Sequence, residues 1–172
     1  MSIRFRCKRC DQVHDGIPAF HSDRPAQYWE VPEEKRETDV FLTSDSCAIA
    51  DRFFFVHGCL EIPIIGTQET LVWGVWVSLK EENFFLWQDC YALPKRSHIG
   101  PFFGWLCTRI AVYPDTLLLK TMVHLRDDGV RPYVELEDTD HPLARDQRKG
   151  ISLDRVMEII HAVGAIDPRP SV

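Results

Sequence analysis

Two neighbouring stretches carry the densest apolar pattern in the chain. Residues 53–65 read Phe-Phe-Phe-Val-His-Gly-Cys-Leu-Glu-Ile-Pro-Ile-Ile, and residues 70–79 read Thr-Leu-Val-Trp-Gly-Val-Trp-Val-Ser-Leu. Both are dense in β-branched and aromatic residues, the types that fit a pleated, half-buried surface. The polar break from Gly66 to Glu69 has hairpin length. The pattern predicts two antiparallel strands at the heart of a sheet, with Trp76 buried. The first arm should end or reach an edge at Pro63, which cannot donate to a ladder.

Weaker patterns flank this pair. Residues 3–6, Ile-Arg-Phe-Arg, alternate like a short exposed strand and run into Cys7-Lys-Arg-Cys10. Residues 18–38 hold Pro18, Pro25 and Pro32, which predicts irregular structure with Tyr28 and Trp29 pinned to the core. The charge run from Glu33 to Glu37 reads as a solvated helical turn. Strand character returns at Cys47–Ala50, Phe102–Leu106, Leu117–Leu125 and Arg131–Glu137, with turns at Tyr113–Asp115 and Asp127–Gly129. In the last strand Tyr133, Glu135 and Glu137 share one face, and Val134 and Leu136 the other. Residues 81–92 read as a helix ended by Pro94, and 142–149 as a short helix. Leu153, Val156, Met157, Ile160 and Val163 trace a helical stripe behind Ser152, a fair N-cap, so a helix is expected over 153–163.

These elements define an α+β fold. A mostly antiparallel sheet of about five to seven strands is covered by helices, with a zinc-knuckle-like turn at the N-terminus. The expected organisation is a single domain over 1–172. It comprises a knuckle-like segment at 1–24, a central sheet at 40–137 and a helical segment at 141–164. Composition changes this picture little. Hydrophobic residues are 45% and charged residues 27%, ordinary for a soluble globular protein. The formal net charge of -6 argues against a general nucleic-acid binder, which needs a basic face for phosphates. No stretch has signal-peptide character, and none approaches the ~18 apolar residues of a membrane span. The expectation is a cytoplasmic protein with no membrane contact. Its six cysteines then call for ligation, redox chemistry or burial rather than a disulfide framework.

Cys7 and Cys10 are the strongest chemical signal. Two thiolates three positions apart can grip one zinc from a tight turn, and Lys8 and Arg9 favour the thiolate form. His14 is the nearest third ligand. The fourth is open among His21, Cys47, Cys59 and His141, with Cys47 favoured. A redox pair normally opens a helix inside a βαβ pattern, and the residues after Cys10 make a poor helix. A second constellation is Glu135, Glu137, Asp138, Asp140 and His141, where the two glutamates on one strand face and a nearby histidine suit a hard metal or acid–base work. Against it, an outward strand face is ordinarily polar. Trp73, Trp76, Phe102, Phe103 and Trp105 read first as core, with Trp73 and Phe103 read second as a pocket wall. No nucleophile motif or phosphate-binding glycine loop is present.

Several strings taken together resemble a known family. They are Cys7-x-x-Cys10-x-x-x-His14, Phe54-Phe-Val-His-Gly-Cys-Leu-Glu-Ile-Pro63, Trp73-Gly-Val-Trp-Val-Ser-Leu79, Phe103-Gly-Trp-Leu106, Tyr113-Pro-Asp-Thr-Leu117 and Thr139-Asp-His-Pro-Leu-Ala144. In this order the set resembles the bacterial family catalogued as Domain of Unknown Function 2199. The resemblance implies no activity, substrate or site residue. Its members often carry Gly after the second cysteine, where this chain has Asp11. The functional expectation is a non-enzymatic domain with structural zinc that acts through contact with a protein partner. The alternative is a metal-dependent hydrolase using His141 and the acidic strand. A closed set of cysteine and histidine ligands marks the first, and an open carboxylate site the second.

Overall fold

The two apolar stretches pair antiparallel over their full length, from Phe54 opposite Leu79 to Pro63 opposite Thr70. The computed structural model describes residues 4–6 and 11–166. In chain order its strands are β1 (Arg4–Arg6), β2 (Val13–Asp15), β3 (Phe20–His21), β4 (Val40–Leu42), β5 (Ser46–Ile49), β6 (Phe53–Pro63), β7 (Thr70–Leu79), β8 (Phe102–Leu106), β9 (Lys120–His124) and β10 (Tyr133–Leu136). The helices are α1 (Arg36–Asp39), α2 (Glu81–Asp89), α3 (Pro142–Lys149) and α4 (Leu153–Ile166).

Alternation along β6 and β7 sends Phe54, Val56, Leu60 and Ile62 inward to meet Leu71, Trp73, Val75 and Val77. β8 and β9 extend the sheet from β7, and β10 then returns to β6, closing a five-strand barrel. Closure requires backbones to meet closely. A Cβ at Gly58 would lie 2.6 Å from Val134 Cγ2 and 3.0 Å from the Pro132 carbonyl. With no side chain at that position, Cys59 N–H reaches the Pro132 carbonyl at 2.8 Å.

The sheet is mixed rather than mostly antiparallel, and this corrects the expectation. β10 pairs with β6 in parallel, as β3 does with β7. The first parallel pair follows from the strand count. Around a closed ring of five strands, direction cannot alternate at every step, so one neighbouring pair must run the same way. The main sheet has eight strands, above the expected range, because it includes the two-residue β3 and the three-residue β4.

Outward residues of β6 and β7 gain a second layer where β4 and β5 extend the sheet. Phe55 and Trp76 are buried there with Cys47, Ile49 and Cys107, against Val31, Val40 and Leu42. Trp76 is 1% exposed and donates its indole N–H to the Ser22 carbonyl at 2.8 Å. Among the described residues the outer face of β8 has no such cover. Phe103 and Trp105 are 41% and 39% exposed, which corrects the reading of both as core, while Phe102 is buried. Trp29 is likewise not pinned to the core. It is 62% exposed, and with Tyr28 it lies under the guanidinium groups of Arg24 and Arg36.

α2 buries Phe84 and Trp87, with Phe84 5.0 Å from the Phe54 ring. α4 starts behind Ser152, whose hydroxyl accepts from Arg155 N–H at 3.2 Å, the expected cap. At the N-terminus β1 and β2 form a separate antiparallel ribbon with Phe5 opposite His14. The expected knuckle falls on residues 7–10, outside the described residues. Asp11 has φ 55°, a left-handed conformation in which Asp is among the better-tolerated residues.

Candidate functional site

A dense cluster of polar side-chain contacts lies between the β4–β5 turn, the end of α2 and the loop before β10. In the turn, Thr43 Oγ1 accepts from Ser46 N–H at 2.9 Å and Asp45 N–H at 3.2 Å. Such hydroxyl-capped turns hold a short loop without help from a ladder. The turn aims the Asp45 carboxylate at three donors. Arg131 Nε donates to Oδ1 at 2.7 Å, and Ser44 and Tyr91 hydroxyls donate to Oδ2 at 2.7 and 3.0 Å. Burial alone would raise the Asp45 pKa, but the bonds from Arg131, Ser44 and Tyr91 outweigh it and hold the carboxyl below its ordinary value.

His57 sits beneath this turn, 4% exposed and stacked 4.8 Å from the Trp76 ring. Its Nδ1 lies 3.1 Å from the Ser44 carbonyl, an acceptor only, so Nδ1 carries the proton. Burial, then the nearby Arg131 charge, lowers the His57 pKa, leaving a neutral ring at physiological pH. Nε2 lies against β7, where a Cβ at Gly74 would approach it to 3.0 Å.

Arg96 locks the loops around the cluster. Its buried guanidinium donates to the carbonyls of Arg126, Tyr91 and Val130 at 2.8, 2.8 and 3.0 Å. Asp127 Oδ1 accepts from the main-chain N–H of Ser97 and Arg96, each at 2.8 Å, and these two bonds hold its carboxyl well below the usual range. Two cavities flank Asp45. One of about 360 Å³ lies between Phe41, Trp87 and Tyr91, and one of about 260 Å³ between Arg96, Arg131 and Pro132. A carboxylate that already accepts three hydrogen bonds is a poor base, so the arrangement suits holding a surface rather than moving protons.

The residues singled out from sequence are scattered. Cys7 and Cys10 lie outside the described residues. His14 stands on the N-terminal ribbon with its ring 6.4 Å from that of His161 on α4, at 90°. Cys47 is in the main sheet, wholly buried, and burial pushes its thiol up to about 11. Cys59, on β6, is also shifted upward by burial. His21 faces Asp23 at 3.4 Å. The acidic-strand constellation does not form. Glu135 pairs with His124 at 2.7 Å and Glu137 with Lys120 at 3.6 Å, while His141 turns inward to accept from Leu143 N–H as the cap of α3. Among the described residues no group of three or more His, Cys, Asp or Glu is placed to hold a metal. Asp45, Tyr91, Arg96 and Arg131 carried no sequence motif. The only local signal was the run Thr43-Ser-Asp-Ser46, whose residue types favour hydroxyl-capped turns.

Fold and site together define a mixed α+β protein, a closed five-strand barrel with a polar cluster at the β4–β5 extension. The chain belongs to the family described as an uncharacterized protein conserved in bacteria, Domain of Unknown Function 2199, whose pattern matches residues 6–151. No curated protein and no solved structure matches it. Among the described residues no helix is long and apolar enough to cross a membrane.

Proposed function

We propose that this chain is a non-catalytic domain that works through contact with another protein and carries a structural zinc on its N-terminal ribbon. The observation that carries the contact reading is the Phe103–Trp105 pair. The two rings meet edge to face at 5.2 Å on the outer face of β8, beside half-buried Met122 and, among the described residues, without a covering helix. Rigid, exposed aromatics inside a polar rim are typical anchors of protein interfaces. Here the flanking pairs are Lys120–Glu137 and His124–Glu135. A photo-crosslinking residue at position 105, in bacterial cells that make the protein, is expected to give discrete protein adducts. The same residue at exposed Glu34 should give none. Absence of adducts at 105, or equal labelling at both positions, removes the contact reading.

Zinc is supported by Cys7-x-x-Cys10 and by the ribbon that carries His14. Cys47 lies in a different sheet and its buried thiol resists ionisation, so His161 replaces it as the fourth ligand in this reading. Metal analysis of protein purified without added metal should find one zinc per chain, lost in Cys7→Ser and in His161→Ala but kept in Cys47→Ser. Zinc retained by His161→Ala and lost from Cys47→Ser restores the original ligand set, and metal-free protein ends the zinc reading.

A further inference from the structure

β4 forms one end of the eight-stranded sheet and, among the described residues, pairs only with β5. The ladder phase identifies its free groups. Thr43 N–H donates to the Ser46 carbonyl and Ala50 N–H to the Asp39 carbonyl, so residues 39, 41 and 43 face β5. The main-chain groups of Val40 and Leu42 therefore point away from the sheet. Val40 N–H is taken by the Arg36 carbonyl at the end of α1. The Val40 carbonyl and both main-chain groups of Leu42 have no partner among the described residues.

Natural sheet edges are usually blunted by a lysine, a proline, a bulge or a covering segment. This one instead presents Phe41, 61% exposed, with a cavity on each side. On one side Phe41 faces Trp87 and Tyr91 across the cavity of about 360 Å³. On the other side Glu37, Asp39 and Asp51 rim a cavity of about 500 Å³. Among the described residues no lysine or arginine lines either cavity. An unpaired strand edge, an exposed aromatic and an acidic rim thus lie side by side.

We propose that β4 accepts an extended segment of a partner protein, bearing lysine or arginine, as a further strand of the sheet. Main-chain bonds to Leu42 and the Val40 carbonyl set the register, the slot beside Phe41 takes an apolar side chain, and the acidic rim takes the cation. This is the mode in which a peptide extends a sheet, with affinity from the backbone and selectivity from alternate side chains. Charge argues against a second copy as the occupant, because two chains of formal net charge -6 would bring like-charged rims together. The surface is separate from Phe103 and Trp105 on β8, so either contact can fail alone.

The test uses the full chain and a short synthetic peptide of alternating lysine and valine, followed by amide NMR. Binding should shift the signals of residues 40–42 and protect the Leu42 amide from exchange. The combined variant Glu37→Gln, Asp39→Asn, Asp51→Asn should weaken binding by about tenfold or more. The same peptide N-methylated at alternate residues should not bind, a control that leaves the protein untouched. Equal binding of the N-methylated peptide, shifts confined to other elements, or no binding by folded protein each overturns the proposal. So does a dimer in sedimentation that Leu42→Pro abolishes, since a second copy would then occupy the edge.

Discussion

Gln147 of α3 pairs with the main chain of Leu136 on β10. Its side-chain Oε1 accepts the Leu136 N–H at 2.8 Å, and its Nε2 donates to the Val134 carbonyl at 2.8 Å. β10 meets β6 at only one residue pair, Tyr133 with Cys59, so beyond it β10 has no strand neighbour on that side among the described residues. The buried amide of Gln147 stands in for one. Gln147→Ala leaves two buried main-chain groups unpaired and should cost about 2–4 kcal/mol. Chemical denaturation of the variant checks this, and a loss within error of zero would show that water reaches the gap.

Gly58 is the second closure point. Gly58→Ala pushes a methyl against Val134 and the Pro132 carbonyl, and overpacking of this kind costs about 1–3 kcal/mol. A lowered melting temperature is the expected readout. Gly66→Ala offers a contrast: it sits in the β6–β7 turn with nothing within 4 Å, so its cost should come from φ 81° alone.

The β5–β6 turn suggests a gain. Ala50 and Asp51 have φ 52° and 47°, and Arg52 N–H donates to the Ile49 carbonyl, a turn whose hand matches strand twist. Ala50 is poorly suited to that conformation, and Asp51 tolerates it but at a cost that glycine does not carry. Asp51→Gly should stabilise the protein by about 0.5–1 kcal/mol, read as a raised denaturation midpoint at unchanged slope.

His57 sets a pH dependence. Its folded pKa lies below its ordinary value of about 6.5, first through burial and then through the Arg131 charge. As pH falls, the unfolded chain takes up this proton first. Stability from neutral His57 is thus fully present above about pH 6.5 and is lost as pH drops through that value toward the folded pKa. The difference in stability between His57→Gln and the natural chain should therefore change across this range. A pH-independent difference would show that His57 does not titrate differently on folding.

Local pattern carried much of the architecture. The β-branched and aromatic density of β6 and β7, the stripe of α4 and the turn at Asp127–Gly129 were all legible, because each is encoded by neighbours in sequence. The barrel was not. Its closing contact joins Tyr133 to Cys59, and no periodicity names a distant partner. The same limit hid Phe103 and Trp105, whose exposure depends on what covers a barrel face rather than on their own alternation. It hid the site as well: Asp45 and Arg131 are 86 residues apart, and each alone reads as an ordinary loop charge. Cys47 looked available as a ligand because the second apolar layer above it is assembled from five separate segments.

The parallel seam has a bearing on how the chain is made. The β6–β7 hairpin is local and can form as soon as both arms have been synthesised, whereas joining Tyr133 to Cys59 must first overcome the entropy of closing a long loop. Until β10 emerges from the ribosome, β6 presents a bare edge along the stretch that later meets Pro132 and Tyr133. A nascent chain stalled before that point would be an open sheet with an apolar inner face, the kind of species that recruits chaperones or pairs with its neighbours. Truncations that stop short of residue 133 should therefore collect in inclusion bodies, even though they keep most of the strands.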